Sequence, residues 1–202
     1  MSIYNLKPKF QNTLRPLTQY LFKSGVTANQ VTLFACVCSI LLGLSLYALQ
    51  AASVLFVLMP IWMFFRMALN AIDGMLARDF KQKSRLGAYL NEVTDVVSDA
   101  ALYLPFVWIS PFSTMQIALV IWLSVLSEMV GILGQVIGKS RRYDGPMGKS
   151  DRAFVFGLLG LLVGTTSFLT QYSTIFHWLM WCVIVLITWT IIRRIRAGLQ
   201  EI

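Results

Sequence analysis

NAIDGMLARDFKQKSRLGAYLNEVTDVVSDA, residues Asn70–Ala100, joins two long apolar runs and carries polar groups that a lipid-facing surface does not tolerate. Asn70, Asp73, Gly74, Ala77 and Arg78 close the first run, and Gly87, Asn91, Asp95 and Asp99 open the second. The spacings of three and four place Arg66, Asn70, Asp73 and Ala77 along one face of a helix. Gly87, Asn91, Asp95 and Asp99 define a face on the next helix. A short polar loop between them makes the two helices antiparallel neighbours, so the two faces meet near one membrane surface.

The rest of the chain supports a bilayer as solvent. Of its 202 residues, 57% are hydrophobic and 13% charged, against roughly 45–50% and 25% in soluble domains. Mean hydropathy is +0.68. Working outward from the central stretch, six runs close to the roughly 20 residues needed to cross a bilayer are expected. They lie at about 31–49, 54 into the central stretch, 86–108, 115–137, 153–170 and 174–192. The fold expected is all-α and integral to the membrane, with six transmembrane helices. One membrane domain over 1–202 is expected, with residues 1–24 as an amphipathic leader and 25–202 as the bundle. In the leader, Ile3, Leu6, Phe10, Leu14, Leu17 and Leu21 form an apolar stripe beside Lys7, Lys9, Arg15 and Lys23. That pattern suits a helix lying in the interface, and Pro8 and Pro16 are expected to break it into short pieces. The apolar run after Lys23 is too long for a cleaved signal.

Charge placement gives the topology. Of 17 Lys and Arg, four lie in the leader, four between Arg78 and Arg85, five between Lys139 and Arg152, and three after Ile192. Arg66 alone falls inside a span, and the turns on the opposite side carry none. The positive-inside rule puts both termini and the central stretch in the cytoplasm. Basic groups that flank spans, rather than forming one soluble patch, argue against nucleic-acid binding. A polar cluster at one membrane face, not at the midplane, argues against a transporter. Cys36, Cys38 and Cys182 all lie in apolar runs and read as buried small hydrophobes.

Ionisable groups inside spans are costly and face partners or a water-filled cavity. Carboxylate and amide oxygens at Asn70, Asp73, Asn91, Asp95 and Asp99 make a site for a hard cation, Mg2+ or Mn2+. Gly74 and Gly87 let a ligand approach the backbone, and Arg78 with the cations at 81–85 supplies positive charge for phosphate. Together these parts suit a metal-bridged pyrophosphate at the membrane surface. Small and polar residues also join membrane helices to each other, but acids and glycines in register favour a ligand.

The stretch resembles the signature of the CDP-alcohol phosphotransferase (CDP-alcohol phosphatidyltransferase) family, Asp-x2-Asp-Gly-x2-Ala-Arg-x8-Gly-x3-Asp-x3-Asp. Asp73, Gly74, Ala77, Arg78, Gly87 and Asp95 match in type and spacing, with Asn70 and Asn91 in place of the first and third acids. Thr27–Thr32 is similar to the family's Thr-Pro-Asn-x2-Thr segment, with Ala28 in place of proline. The resemblance implies transfer of a phosphatidyl group from a CDP-linked lipid such as CDP-diacylglycerol to an alcohol, with release of CMP. It implies Asp95 as the base, metal at the acids, and CDP against Asn29, Thr32, Gly74, Ala77, Arg78, Ser84 and Gly87. It also implies a homodimer in a bacterial inner membrane, with the site facing the cytoplasm.

Replacing two acids lowers the formal charge of the site from −4 to −2. Three outcomes are open. Asp99 or Glu92 substitutes; one metal suffices; or the chain is a non-catalytic CDP-lipid binder or scaffold. On the acceptor side, Lys139, Arg142, Lys149, Arg152 and Arg193 are expected to hold an anionic alcohol, with the helix opening at Gly148–Arg152 favouring phosphate. Glu128, within the fourth run, either pairs with Arg66 or lines the cavity. His177, beside Trp178 and Trp181, reads as an interface residue.

Overall fold

The computed structural model describes residues 6–49, 53–138 and 140–200. Ile3, part of the 50–53 turn and Lys139 lie outside the described residues. Among the described residues eight helices carry the fold: α1 (Leu6–Lys23), α2 (Ala28–Ala48), α3 (Leu58–Asp79), α4 (Arg85–Tyr103), α5 (Thr114–Ile137), α6 (Lys149–Thr165), the short α7 (Phe168–Gln171) and α8 (Ser173–Leu199). Turns of 3₁₀ helix at Ser53–Val57 and Leu104–Trp108 precede α3 and follow α4. No strand occurs among the described residues.

Of the described helical stretches, four are long and apolar enough to cross a membrane: Ala28–Ala48, Val54–Asp79, Thr114–Ile137 and Ser173–Leu199. The chain is an integral membrane protein. The other two expected spans differ for a physical reason. α4 carries Glu92, Asp95 and Asp99 on its inner side, and α6, at 17 residues, opens with Lys149, Asp151 and Arg152. Glu92, Asp95, Asp99, Lys149 and Arg152 take part in the ion pairs described below, and Asp151 is exposed.

α2 packs on α3 and α4, α5 on α8, and α6 on α3 and the 3₁₀ turn before it. An aromatic core holds the middle, with Tyr103 and Phe156 stacked at 4.0 Å between ring centroids, and Phe106 edge-on to Phe156 at 5.1 Å. A Cβ on Gly160 would sit 2.6 Å from Met59 Cβ, so α6 reaches the 3₁₀ turn and α3 only because that side chain is missing. Exposed large apolar side chains such as Phe34, Leu41, Phe64, Trp122, Trp178 and Val185 cover the outer surface, as expected of a lipid-facing belt.

α1 runs unbroken through Pro16, contrary to the expected break. A proline removes one hydrogen bond, and packing against α3 offsets that loss. Leu14 and Leu21 join a cluster with Val31, Ile72 and Leu76. Phe10 meets Phe64, Phe22 meets Phe80, and Arg15 pairs with Asp79 at 2.9 Å. The cysteines are free. Cys36 is buried and Cys38 half-buried, whereas Cys182 is exposed on the outer face, which corrects the expectation for that residue.

Candidate active site

Local capping sets the geometry. Thr27 caps α2 in a reciprocal pair with Gln30, as its place before the apolar run suggests. The backbone N–H of Ala28 then donates to Gln82 Oε1 at 2.7 Å, which ties the start of α2 to the loop between α3 and α4. Ser84 caps α4 by accepting from Gly87 N–H at 2.9 Å. Thr32 donates from Oγ1 to Asp73 Oδ2 at 2.8 Å, joining α2 to α3 at the signature.

These contacts enclose a cavity of about 700 Å³ between the first turns of α2 and α4 and the last turns of α3 and α5. Every residue expected to meet CDP lines it: Asn29, Thr32, Gly74, Ala77, Arg78, Ser84 and Gly87. Asp73 and Asn91 line it too, and α5 adds Ile132 and Gln135. A Cβ on Gly87 would lie 2.8 Å from Asn29 Oδ1 and 3.0 Å from Ser84 Oγ. The glycine therefore lets the helix termini close on one another as well as opening the backbone to a ligand.

Of the residues expected to hold metal, Asp73 and Asn91 face this cavity, Asn70 is half-buried, and Asp95 has 17% of its side chain exposed. Asp99 is turned elsewhere. Its Oδ1 accepts from Arg66 Nη1 at 2.5 Å and its Oδ2 from Arg152 Nη2 at 3.3 Å. The side chains of Asp99, Arg66 and Arg152 are 4%, 4% and 0% exposed. Asn70, Asp73, Asn91 and Asp95 all carry oxygen donors, the chemistry a hard divalent cation takes, and of the four Asp73 and Asn91 line the cavity. Among the described residues no group of three or more Asp, Glu, His or Cys is placed to hold a metal.

Behind the cavity runs a chain of alternating charges. Glu92 pairs with Arg141, Arg141 with Glu128, Glu128 with Arg152, Arg152 with Asp99, Asp99 with Arg66, Arg66 with Asp95, and Asp95 with Lys149. Arg194 joins at Glu128, 3.5 Å away, and donates to Ser127 O at 2.6 Å. Such a chain meets the requirement that buried charges be paired. It also corrects the expectation for Glu128, whose partners are Arg152, Arg141 and Arg194 rather than Arg66.

The expected acceptor residues divide. Lys149 and Arg152 enter the charge chain, with Arg152 fully buried. Arg142 pairs with Asp144 at 2.9 Å. Arg193 is exposed, while its neighbour Arg194 points inward. Sequence reasoning left Arg141 and Arg194 without a role. The signal that finds them is Glu128 itself, an acid within an apolar helix that requires cations from a nearby loop or helix end. His177 is half-buried, accepts from Trp181 Nε1 at 3.3 Å and has Nδ1 3.4 Å from Pro111 O.

Comparisons with known proteins supply the family. Inner membrane protein YnbA of Escherichia coli (strain K12) is 47% identical over 200 residues, 98% of this chain and 97% of that one. Phosphatidylinositol phosphate synthase of Mycobacteroides abscessus is 24% identical over 192 residues, 93% of this chain and 84% of that one. The crystal structure of Mycobacterium tuberculosis phosphatidylinositol phosphate synthase in complex with manganese and citrate matches with a TM-score of 0.72. That match covers 92% of this chain and 88% of that one at 17% identity, a likeness of fold. The family model for CDP-alcohol phosphatidyltransferase matches residues 25–189, from the turn before α2 into α8, and this chain belongs to that family.

Proposed function

We propose that the chain transfers the phosphatidyl group of CDP-diacylglycerol to an alcohol bearing an anionic group, releasing CMP. That the chain is a membrane transferase of phospholipid biosynthesis follows from its family. The observation that carries the finer reading is one cavity that gathers all seven residues expected to meet CDP, together with Asp73 and Asn91.

In this reading the nucleotide lies against Gly74, Ala77, Arg78 and Gly87, with Asn29, Thr32 and Ser84 around it. Asn70, Asp73, Asn91 and Asp95 would hold a Mg2+ or Mn2+ ion, which would supply charge stabilisation to the pyrophosphate when bound. Asp99 is left out of this donor set because both its oxygens are held by guanidinium groups. The acceptor hydroxyl oxygen forms a new bond to the phosphorus that carries diacylglycerol. The pyrophosphate P–O bond breaks, CMP leaves with the bridging oxygen, and Asp95 takes the hydroxyl proton. Arg141 and Lys149, each with part of its side chain exposed, form the basic side that receives the acceptor's anionic group, while the buried Arg152 and Arg194 stay paired with Glu128; Lys139 and Arg142 add positive charge to the same stretch of sequence. The relative's name, phosphatidylinositol phosphate synthase, is in keeping with an anionic acceptor.

The topology proposed with this chemistry has six spans, with α4 and α6 crossing beside the four more apolar helices. The cavity and both termini face the cytoplasm of a bacterium, and the chain pairs as a homodimer in the inner membrane. Lys and Arg clustered on the cavity side support the orientation.

The test is CMP release from CDP-diacylglycerol by the purified protein with Mg2+ or Mn2+ and a panel of neutral and phosphorylated alcohols. Asp95→Asn is expected to lower turnover by about 100-fold or more while CMP binding stays within about twofold. Unchanged turnover in that variant excludes Asp95 as the base. Binding of CDP-lipid without CMP release for any alcohol favours a non-catalytic binder.

A further inference from the structure

Gln82 lines the cavity from the loop between α3 and α4. Its amide is held at one end. The backbone N–H of Ala28 is one of the N-terminal donors that α2 cannot satisfy from within, and Ala28 is buried. That N–H donates to Gln82 Oε1 at 2.7 Å. A backbone N–H only donates, so the atom it meets has to be the carbonyl oxygen. The contact therefore fixes which way round the amide lies. Nε2, with its two N–H donors, is the end left over, and it has no partner among the described residues.

The cavity also has a direction. Asp73 and Asn91 each lie about 9 Å from the loop, at about 1.5 Å of rise per residue from the helix ends Asp79 and Arg85. The Arg78 guanidinium folds back over Gly74, with Nη2 3.7 Å from where a Cβ would stand. Groups suited to phosphate thus lie toward Asp73. Val93, further along α4, and Ile132 on α5 are apolar. With a pyrophosphate near Asp73 and Asn91, the ribose carries the base back toward the loop that holds Gln82.

We propose that Gln82 reads the base of the donor nucleotide, its Nε2–H donating to N3 of cytosine, and so selects a cytosine nucleotide over a uracil one. The inference rests on the transferase reading for the place of the pyrophosphate. Cytosine N3 is an acceptor, whereas uracil carries a hydrogen on N3. Gln82 cannot turn its oxygen to that hydrogen without leaving the buried Ala28 N–H unpaired. A site built around one hydrogen bond rejects the ligand that cannot complete it.

The experiment measures binding of CMP, UMP and 3-deazacytidine 5′-monophosphate, which has C–H in place of N3. It uses calorimetry on the full-length protein in lipid nanodiscs with Mg2+. Wild type is expected to bind CMP about 30-fold more tightly than UMP, and about tenfold more tightly than the deaza analogue. Gln82→Glu keeps an oxygen for the Ala28 N–H but turns an acceptor to the base. Its negative charge weakens both natural nucleotides alike, so the CMP/UMP affinity ratio is the readout. That ratio is expected to fall by about 30-fold or more, to parity or to a preference for UMP. Equal binding of CMP and the deaza analogue by wild type overturns the proposal without recourse to any variant. An unchanged CMP/UMP ratio in folded Gln82→Glu overturns it as well. If CMP is released from CDP-diacylglycerol while either of those results holds, the transferase reading stands and the base reading alone falls. Selective CMP binding that shifts in Gln82→Glu, with no CMP release for any alcohol, refutes the transferase reading and leaves the base reading standing. Binding of none of the three nucleotides overturns both.

Discussion

Asp99→Asn separates a structural anchor from a metal ligand. The carboxylate bridges Arg66 at 2.5 Å and Arg152 at 3.3 Å, and the side chains of all three residues are 4% exposed or less. Breaking a buried pair from one side costs about 3–5 kcal/mol, because a desolvated charge is left behind. Two features place this case at the low end. Asparagine keeps one acceptor oxygen, and each arginine keeps a second acid: Glu128 at 3.0 Å from Arg152, and Asp95 at 3.5 Å from Arg66. A cost of about 3 kcal/mol corresponds to a fall in Tm of about 6–12 °C for a chain of this size. Thermal unfolding in nanodiscs, followed by the fluorescence of the 6 tryptophans, reads the stability. Mn2+ titration of the same samples reads the metal site. The expected result is a lower Tm with Mn2+ affinity within about twofold of wild type. An unchanged Tm with Mn2+ binding lost would refute the reasoning and return Asp99 to the donor set.

Two further substitutions probe the cavity. Gly87→Ala places a methyl 2.8 Å from Asn29 Oδ1 and 3.0 Å from Ser84 Oγ, so CMP affinity, measured by calorimetry, is expected to fall about tenfold; unchanged affinity would place the nucleotide elsewhere. Thr32→Val removes the 2.8 Å hydrogen bond to Asp73, an interaction with a charged group worth about 1.5–3 kcal/mol. The orientation of Asp73 is then lost, so Mn2+ affinity is expected to fall by at least about tenfold, while normal Mn2+ binding by the Thr32→Val variant shows that the contact is not needed.

The parts of the site most legible in the sequence are those fixed by helical spacing. Asp73, Gly74, Ala77 and Arg78 sit within two turns of α3, and Ser84, Gly87 and Asn91 within two turns of α4. Once both segments are helices joined by a short loop, their shared cavity follows. The Thr27 cap is equally local, a threonine standing just before the apolar run that becomes α2. What escaped depends on long-range contacts. Glu128 takes partners from α6, α8 and the loop after α5, and no periodicity connects those segments. Arg193 and Arg194 differ by one step of about 100° around α8, so which one turns inward depends on the packing of α8 against α5. Pro16 marks a break by local rules, yet α1 stays whole against α3. Glu92, Asp95 and Asp99 set α4 apart from the four apolar helices, and they take their cations from the loop after α5, from α3 and from α6.

Everything proposed for the site depends on the cavity being the nucleotide end of a transfer reaction. The most direct measurement is the joint appearance of CMP and a phosphatidyl-alcohol from CDP-diacylglycerol, in the presence of Mg2+ or Mn2+, catalysed by the purified chain. The two products are expected in equal amounts, both lost on removal of the metal and in Asp73→Asn. Tight binding of CDP-diacylglycerol with no CMP formed from any alcohol offered would contradict that expectation.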